Sequence, residues 1–230
     1  MSRALFVVGT GTDVGKTYVT GLMVKALAQA GHTPAYYKAA MSGNVRRPDG
    51  SLIPGDAAFV RNMAGLEQPL DRMCPFVYER AVSPHLAGRL EGDPVDLDRV
   101  MTGFRALFGT YDLITAEGSG GILCPLREEP GRRLLLEDVI RAMHIPSVLV
   151  ADAELGSINR VVLTWSYMKE KGLPLAGILF NRVPEGDDMA EDNIAMCRAL
   201  TGLPILARIP EGADTLPMAA ADLAALYQEV

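Results

Sequence analysis

Nine consecutive residues, Gly9-Thr10-Gly11-Thr12-Asp13-Val14-Gly15-Lys16-Thr17, combine three glycines with a lysine and a hydroxyl. That set suits phosphate. Glycine lets backbone N–H groups approach phosphate oxygens, a lysine supplies a fixed cation, and a threonine hydroxyl can ligate Mg2+. In the general form G-x-x-x-x-G-K-[ST] the first glycine falls at position 10. Position 10 is a threonine here and Gly9 lies one residue earlier. Context decides against an ordinary strand–helix turn. The apolar run Ala4 to Val8 precedes the loop, and a helical period (Val19, Leu22, Met23, Ala26, Leu27, Ala30) follows it, with Gly31 as a stop. The stretch Asp13-Val14-Gly15-Lys16-Thr17-Tyr18 is expected to hold a nucleotide.

A second set of polar residues recurs just after predicted strands. In order these are Lys38 with Ser42, Glu117 with Gly118-Ser119-Gly120-Gly121, Asp152, Asn181, and Pro210-Glu211. In a parallel sheet such strand ends share one edge, where open α/β sheets bind ligands. The chemistry suggested is phosphoryl transfer. Mg2+ takes hard oxygen ligands, commonly one or two carboxylates plus phosphates, and Thr17, Asp56 and Glu117 are the best candidates. Glu117 sits at the end of a strand near the phosphate loop, as a metal-holding acid of such sites does. Lys38 is a second fixed cation for charge developing on a transferring group. The plainer readings are a solvated acid for Glu117, a solvated lysine for Lys38 and a helix cap for Asp56. Asp13 inside the loop would repel phosphate unless it faces a cation such as a substrate amine; otherwise it only fixes the turn. His85 could be a hydrogen-bond donor to the site or a surface residue. His32 and His144 are expected to be structural.

Positioning these groups takes alternating strands and helices. The expected strands are 4–8, 33–38, 111–117, 145–151, 175–180 and 204–209, and the expected helices are 17–30, 56–64, 96–108, 135–143, 157–171, 189–200 and 218–228. Ser83 and Pro84 open a further short helix. Residues 66–82 read as irregular, and 124–133 as an exposed loop that could serve as a lid. The alternation predicts an α/β fold with a parallel sheet and right-handed crossovers.

Bulk properties narrow the function. At 230 residues with 49% apolar and 22% charged residues, the chain fits one domain, 1–230, with a substantial core. A net charge of −6 argues against nucleic acid as a partner. Cys74, Cys124 and Cys197 are widely spaced and read as reduced thiols rather than a disulfide or zinc framework. No apolar run is long enough to span a bilayer. A cytoplasmic protein with no membrane partner is expected.

The segments Gly9 to Thr17, Tyr37-Lys38-Ala39-Ala40-Met41-Ser42-Gly43, Gly55-Asp56-Ala57, Ser83-Pro84-His85, Glu117 to Gly121, Leu155-Gly156-Ser157-Ile158-Asn159 and Asn181 together resemble dethiobiotin synthetase, in sequence and in order. The resemblance runs to about residue 212, and the spacing from Gly9 to Gly15 is that family's own. It implies a three-layer P-loop-type α/β fold, with a mostly parallel central sheet and helices on both faces. It implies ATP as co-substrate, Mg2+, and closure of a urea ring on 7,8-diaminononanoate with CO2 or bicarbonate, in biotin synthesis. Lys16 and Lys38 would hold the γ-phosphate and stabilise the carbamate and its anhydride. Thr12 and Ser42 would position the amine or carbamate, and Asp13 would face the diamine. Gly120 and Gly121 would line the substrate, Glu117 and Gly118 would border the nucleotide, and Thr17, Asp56 and Glu117 would hold Mg2+. Asn181 would read adenine beside Pro210 and Glu211. In a homodimer, Ser157, Ile158 and Asn159 of a partner would hold the distant carboxylate. Asp13 stands where the family pattern more often has Glu, and Arg160 where His is expected. Two other readings are a related amide-forming ligase and a partitioning-type ATPase switch. The first lacks room for a glutaminase domain. The second would carry a lysine at Gly11 or Thr12 and a basic or amphipathic docking surface.

Overall fold

A computed structural model describes residues 1–230. In chain order the elements are β1 (Arg3–Gly9), α1 (Lys16–Gln29), β2 (Pro34–Lys38), β3 (Ala40–Met41), β4 (Val45–Arg46), β5 (Leu52–Ile53), α2 (Gly55–Ala64), β6 (Phe76–Val77), α3 (Pro84–Glu91) and α4 (Leu97–Arg105). There follow β7 (Leu113–Glu117), β8 (Pro125–Glu129), β9 (Arg132–Leu135), α5 (Leu136–Met143), β10 (Ser147–Asp152), α6 (Ser157–Glu170), β11 (Leu175–Asn181), α7 (Asp188–Thr201), β12 (Ile205–Ile209), α8 (Ala220–Ala225) and β13 (Gln228–Glu229).

The main sheet runs β12-β11-β10-β1-β7-β2, with every one of these pairs parallel. The strands β10, β1, β7 and β2 are buried on both faces, which is why their runs are largely apolar rather than alternating, while the edge strand β12 keeps Arg208 exposed. In β1, Phe6 and Val8 pack into a large core with α4, α5, α6 and α7, while Leu5 and Val7 face α1 and α8. That gives three layers, helix–sheet–helix. Helix α1 is itself covered on a second side, because Val24 joins Tyr36, Ala57 and Val60 beneath α2. Its apolar residues are therefore not confined to one face, and Ala30, expected on that face, is exposed.

Four expectations need correction. Asp56 does not cap α2: the helix begins at Gly55 after Pro54, and Asp56 lies in its first turn with its carboxylate turned to Lys38. Residues 124–133 are not an open loop. They contribute to the antiparallel hairpin β8–β9, whose Leu126 is fully buried in the large core. Residues 66–82 contain a short 3-10 turn, Leu70–Arg72, and β6, which pairs in parallel with β3. The last helix stops at Ala225, and β13 then pairs antiparallel with the start of β1. No helix is long and apolar enough to cross a membrane.

Candidate active site

Strand β1 ends at Gly9 and α1 begins at Lys16, so the glycine-rich loop spans the top of the sheet between two buried elements. Gly15 caps α1 in a left-handed conformation, φ 85°, and no side chain covers the first amides of the helix. No acid stands in that first turn either. The helix N-terminus is thus free to meet an anion. Gly9 makes room for Lys16: a β-carbon there would lie 2.8–2.9 Å from the lysine's Cδ and Cγ. Lys16 folds back and donates to the Gly11 carbonyl at 2.7 Å. Burial, and then the neighbouring Lys38 ammonium, push Lys16 down to about 8 against the pull of Glu117 and Asp56.

The register of β1, β7 and β2 builds the second half. Glu117 lies opposite Lys38 on one side and Val7 on the other. Lys38 donates to Glu117 Oε1 at 2.6 Å and to Asp56 Oδ2 at 2.7 Å. Thr17 donates to the same Glu117 Oε1 at 2.7 Å, and the Tyr36 phenol donates to Oε2 at 3.0 Å. Glu117 is 1% exposed and Lys38 6%. A buried pair of this kind persists only with such close charge and hydrogen-bond partners. Burial works against the Lys38 ammonium, but Glu117 and Asp56 more than offset it and hold it above the usual lysine range. Burial, with the Glu117 charge next, keeps the Tyr36 phenol well above its ordinary value, and so protonated.

Glu117 and Asp56 already hold one cationic group with hard oxygens, and the Thr17 hydroxyl bonds the same Glu117 oxygen. Two carboxylates and a hydroxyl fit a Mg2+ ion that takes its remaining ligands from phosphate and water. Across the gap, the glycine run lies against the phosphate loop: a β-carbon on Gly121 would sit 3.7 Å from Gly11 Cα and 3.8 Å from the Gly9 and Thr10 carbonyl oxygens. Phosphate loop, two lysines, hydroxyl and paired acids thus occupy one corner of the sheet edge.

A family model described as an AAA domain matches residues 3–219. The ATP-dependent dethiobiotin synthetase BioD of Brachyspira hyodysenteriae is 40% identical over 92% of this chain and 94% of its own length. That of Clostridium novyi is 42% identical over 93% and 90%, respectively. That of Clostridium botulinum strain Okra is 37% identical over the whole of both chains. The chain belongs to the AAA-domain and dethiobiotin synthetase families. Solved structures of low identity share its fold. A MinC:MinD cell division complex from Aquifex aeolicus has a TM-score of 0.58 at 16% identity, covering 97% of this chain and 85% of that one. A ParA family ATPase from Chlorobium tepidum has 0.56 at 17%, covering 98% and 88%.

The remaining residues expected from the dethiobiotin synthetase resemblance are placed as follows. Thr12 is exposed on the loop, its hydroxyl 3.8 Å from where a Gly120 β-carbon would be. Asp13 is exposed with φ 62°, a backbone state that Asp tolerates, and its carbonyl accepts from Arg182 at 2.6 Å. Ser42 follows β3, which Ser119 ties to the glycine run by donating to the Ala40 carbonyl at 2.8 Å. Gly118 is buried against Leu136 and Phe6. Asn181 is buried, donates Nδ2 to the Val14 carbonyl at 3.1 Å, and leaves Oδ1 without a partner. Pro210 and Glu211 are exposed just past Ile209, which lies opposite Asn181. Tyr18 reaches the same segment through the Ala213 carbonyl. Ser157 opens α6 and is buried, Ile158 is half-buried and Asn159 exposed. None of the three hydrogen-bonds to Lys16, Lys38 or Glu117 within the chain. His85 pairs with Ser83 at 3.0 Å, and His32 with Asp112 at 2.7 Å. Arg160 donates to the buried Asp152 at 2.5 Å rather than facing solvent alone.

Tyr36 and Arg182 join the site without having been expected there, and so does the bond that Ser119 makes. Tyr36 had a signal: it stands two residues before Lys38 in one strand and so shares its face. Arg182 and Ser119 act through backbone carbonyls, and no residue pattern announces such contacts.

Proposed function

We propose that the protein closes the ureido ring of dethiobiotin from 7,8-diaminononanoate, CO2 and ATP with Mg2+, in the cytoplasm and as a homodimer. The observation that carries this reading is the single corner where Lys16, Thr17, Lys38, Asp56 and Glu117 meet, in a chain 37–42% identical to ATP-dependent dethiobiotin synthetases over 90% or more of its length.

An amine of the substrate adds to CO2 and loses a proton, giving a carbamate. A carbamate oxygen attacks the γ-phosphorus and ADP leaves. The second amine attacks the carbonyl carbon of the mixed anhydride and gives up a proton to solvent, and phosphate leaves as the ring closes. Lys16 and Lys38 offset the charge on the transferring group, a contribution that is large in a site with little water. Thr12 and Ser42 orient the amine and the carbamate, with Asp13 toward the diamine and Gly120 and Gly121 against its chain. Thr17, Asp56 and Glu117 would hold Mg2+, which supplies charge neutralisation on the phosphates. The unpartnered Asn181 Oδ1 supports a contact to an amino group such as that of adenine. For the homodimer, the support is the exposure of apolar side chains on and before α6, Leu155 at 83% and Leu163 at 61%. The backbone N–H groups opening that helix suit a carboxylate.

Phosphate release from ATP, with bicarbonate and the diamine added separately and together, tests the reading. Release should require both. If the diamine gives no stimulation, the reading fails; stimulation by DNA or lipid vesicles instead would make the protein a nucleotide switch.

A further inference from the structure

Both oxygens of Glu117 are committed. Oε2 accepts from Tyr36, while Oε1 accepts from Thr17 and Lys38. Tyr36 is fully buried, packed with Met41, Ala57, Val60 and Met73, so its phenol has no room to leave. Lys38 is held differently. Its ammonium sits on a flexible stem between Glu117 and Asp56. The Lys38 side chain is 7% exposed but that of Asp56 is 41%, so the pair meets solvent on its Asp56 side. A divalent cation drawing on Glu117 Oε1 and Asp56 Oδ2 would need the same two oxygens that Lys38 uses. Two cations at that separation repel.

We propose that Lys38 is an exchangeable counter-ion of the metal site, and that Tyr36 is the positioning residue that makes the exchange obligatory by keeping Glu117 Oε2 closed. Lys38 guards the paired acids as a tethered cation. It gives up those oxygens when the metal takes them and is then released toward the carbamate and phosphoryl group. The second lysine of the site becomes available only after the metal site is filled, which orders the reaction. This rests on the reading of Thr17, Asp56 and Glu117 as the Mg2+ ligands.

The test uses no ATP and no diamine. The native protein is pulsed with acetic anhydride, with and without saturating Mg2+, and peptides are read by mass spectrometry. Acetylation of Lys38 should rise at least about 5-fold with Mg2+, since the released amine leaves its buried place between the two carboxylates, while the exposed Lys169 stays constant. An unchanged Lys38 overturns the exchange. In Tyr36→Phe, Oε2 is freed to take one cation while Lys38 keeps Oε1, so the Mg2+-dependent rise should disappear. A full rise in that variant overturns the role of Tyr36. Mn2+ titration by electron paramagnetic resonance adds a third readout: Lys38→Met should bind Mn2+ at least about 10-fold tighter than the native protein, and equal or weaker binding counts against the exchange. If that variant does not fold, the native acetylation result still decides. Dethiobiotin formation is assayed in parallel. A native protein that makes dethiobiotin but shows no metal response at Lys38 loses the exchange alone, and one that makes none loses the functional reading first.

Discussion

A β-carbon at position 15 would lie 2.0 Å from the Asn181 amide nitrogen, on a backbone already at φ 85°. Gly15→Ala should therefore distort the loop and cost about 1–3 kcal/mol in denaturant unfolding. ATP binding measured by calorimetry should weaken with it; unchanged affinity would show that the loop can relax. Lys16 supplies a pH signature. Folding lowers it from 10.5 to about 8, so the unfolded chain binds more protons between those values. The cost of burying its charge is fully present below about pH 8, and stability rises as pH climbs from there toward 10.5. A bound triphosphate should raise Lys16 again, so ATP binding near pH 8 should take up about half a proton, read from binding heats in buffers of different ionisation enthalpy. Release of protons, or none exchanged, would contradict this. Lys38→Ala should lower turnover by orders of magnitude while leaving ATP binding largely intact. It also leaves Glu117 buried without its counter-ion, so it should cost about 3–5 kcal/mol of stability when Mg2+ is withheld.

At the scale of elements, what was legible followed from periodicity and from strand ends. β2 and β7 each finish in a charged residue, and parallel pairing brings the two charges together, Lys38 opposite Glu117. The hairpin β8–β9 was not legible, because Arg127, Glu128, Glu129, Arg132 and Arg133 make that segment read as solvent-exposed. Four of those charges pair with one another, Arg133 with Glu128 at 2.6 Å and Arg127 with Glu129 at 2.5 Å, while Leu126 is the buried core residue of the charged stretch itself and Leu134 follows it in β9. One buried leucine in a charged stretch is too weak a pattern to outweigh its neighbours. Its packing predicts the behaviour of a fixed element and not of a lid: Leu126→Ala should cost about 2–5 kcal/mol in unfolding and leave ATP affinity unaltered. Asp56 carried two readings, a metal ligand and a helix cap, and the tertiary approach of Lys38 draws its carboxylate away from the cap.

At the scale of the molecule, the same three-layer scaffold appears in MinD and ParA structures with 16–17% identity, so the fold alone leaves the chemistry open. The proposed homodimer has a kinetic consequence. If a partner's α6 holds the substrate carboxylate, dilution below the dimer dissociation constant should raise the KM for the diamine while ATP affinity stays constant. A KM that ignores dilution would place the carboxylate within one chain. The far end of the sheet has its own consequence. There β13 lies along the start of β1, Tyr227 bonds Thr115 at 2.6 Å, and the Val230 amide donates to the Ser2 carbonyl at 3.2 Å. Residue 230 is thus held beside residue 2, a strand's length of roughly 20 Å from the phosphate loop. A circular permutant that joins residue 230 to residue 1 through a short glycine linker, and opens the exposed turn at 47–50, would keep every strand neighbour and the whole corner of Lys16, Lys38 and Glu117. The chain could then be made with the nucleotide loop toward its C-terminal end instead of its N-terminal one.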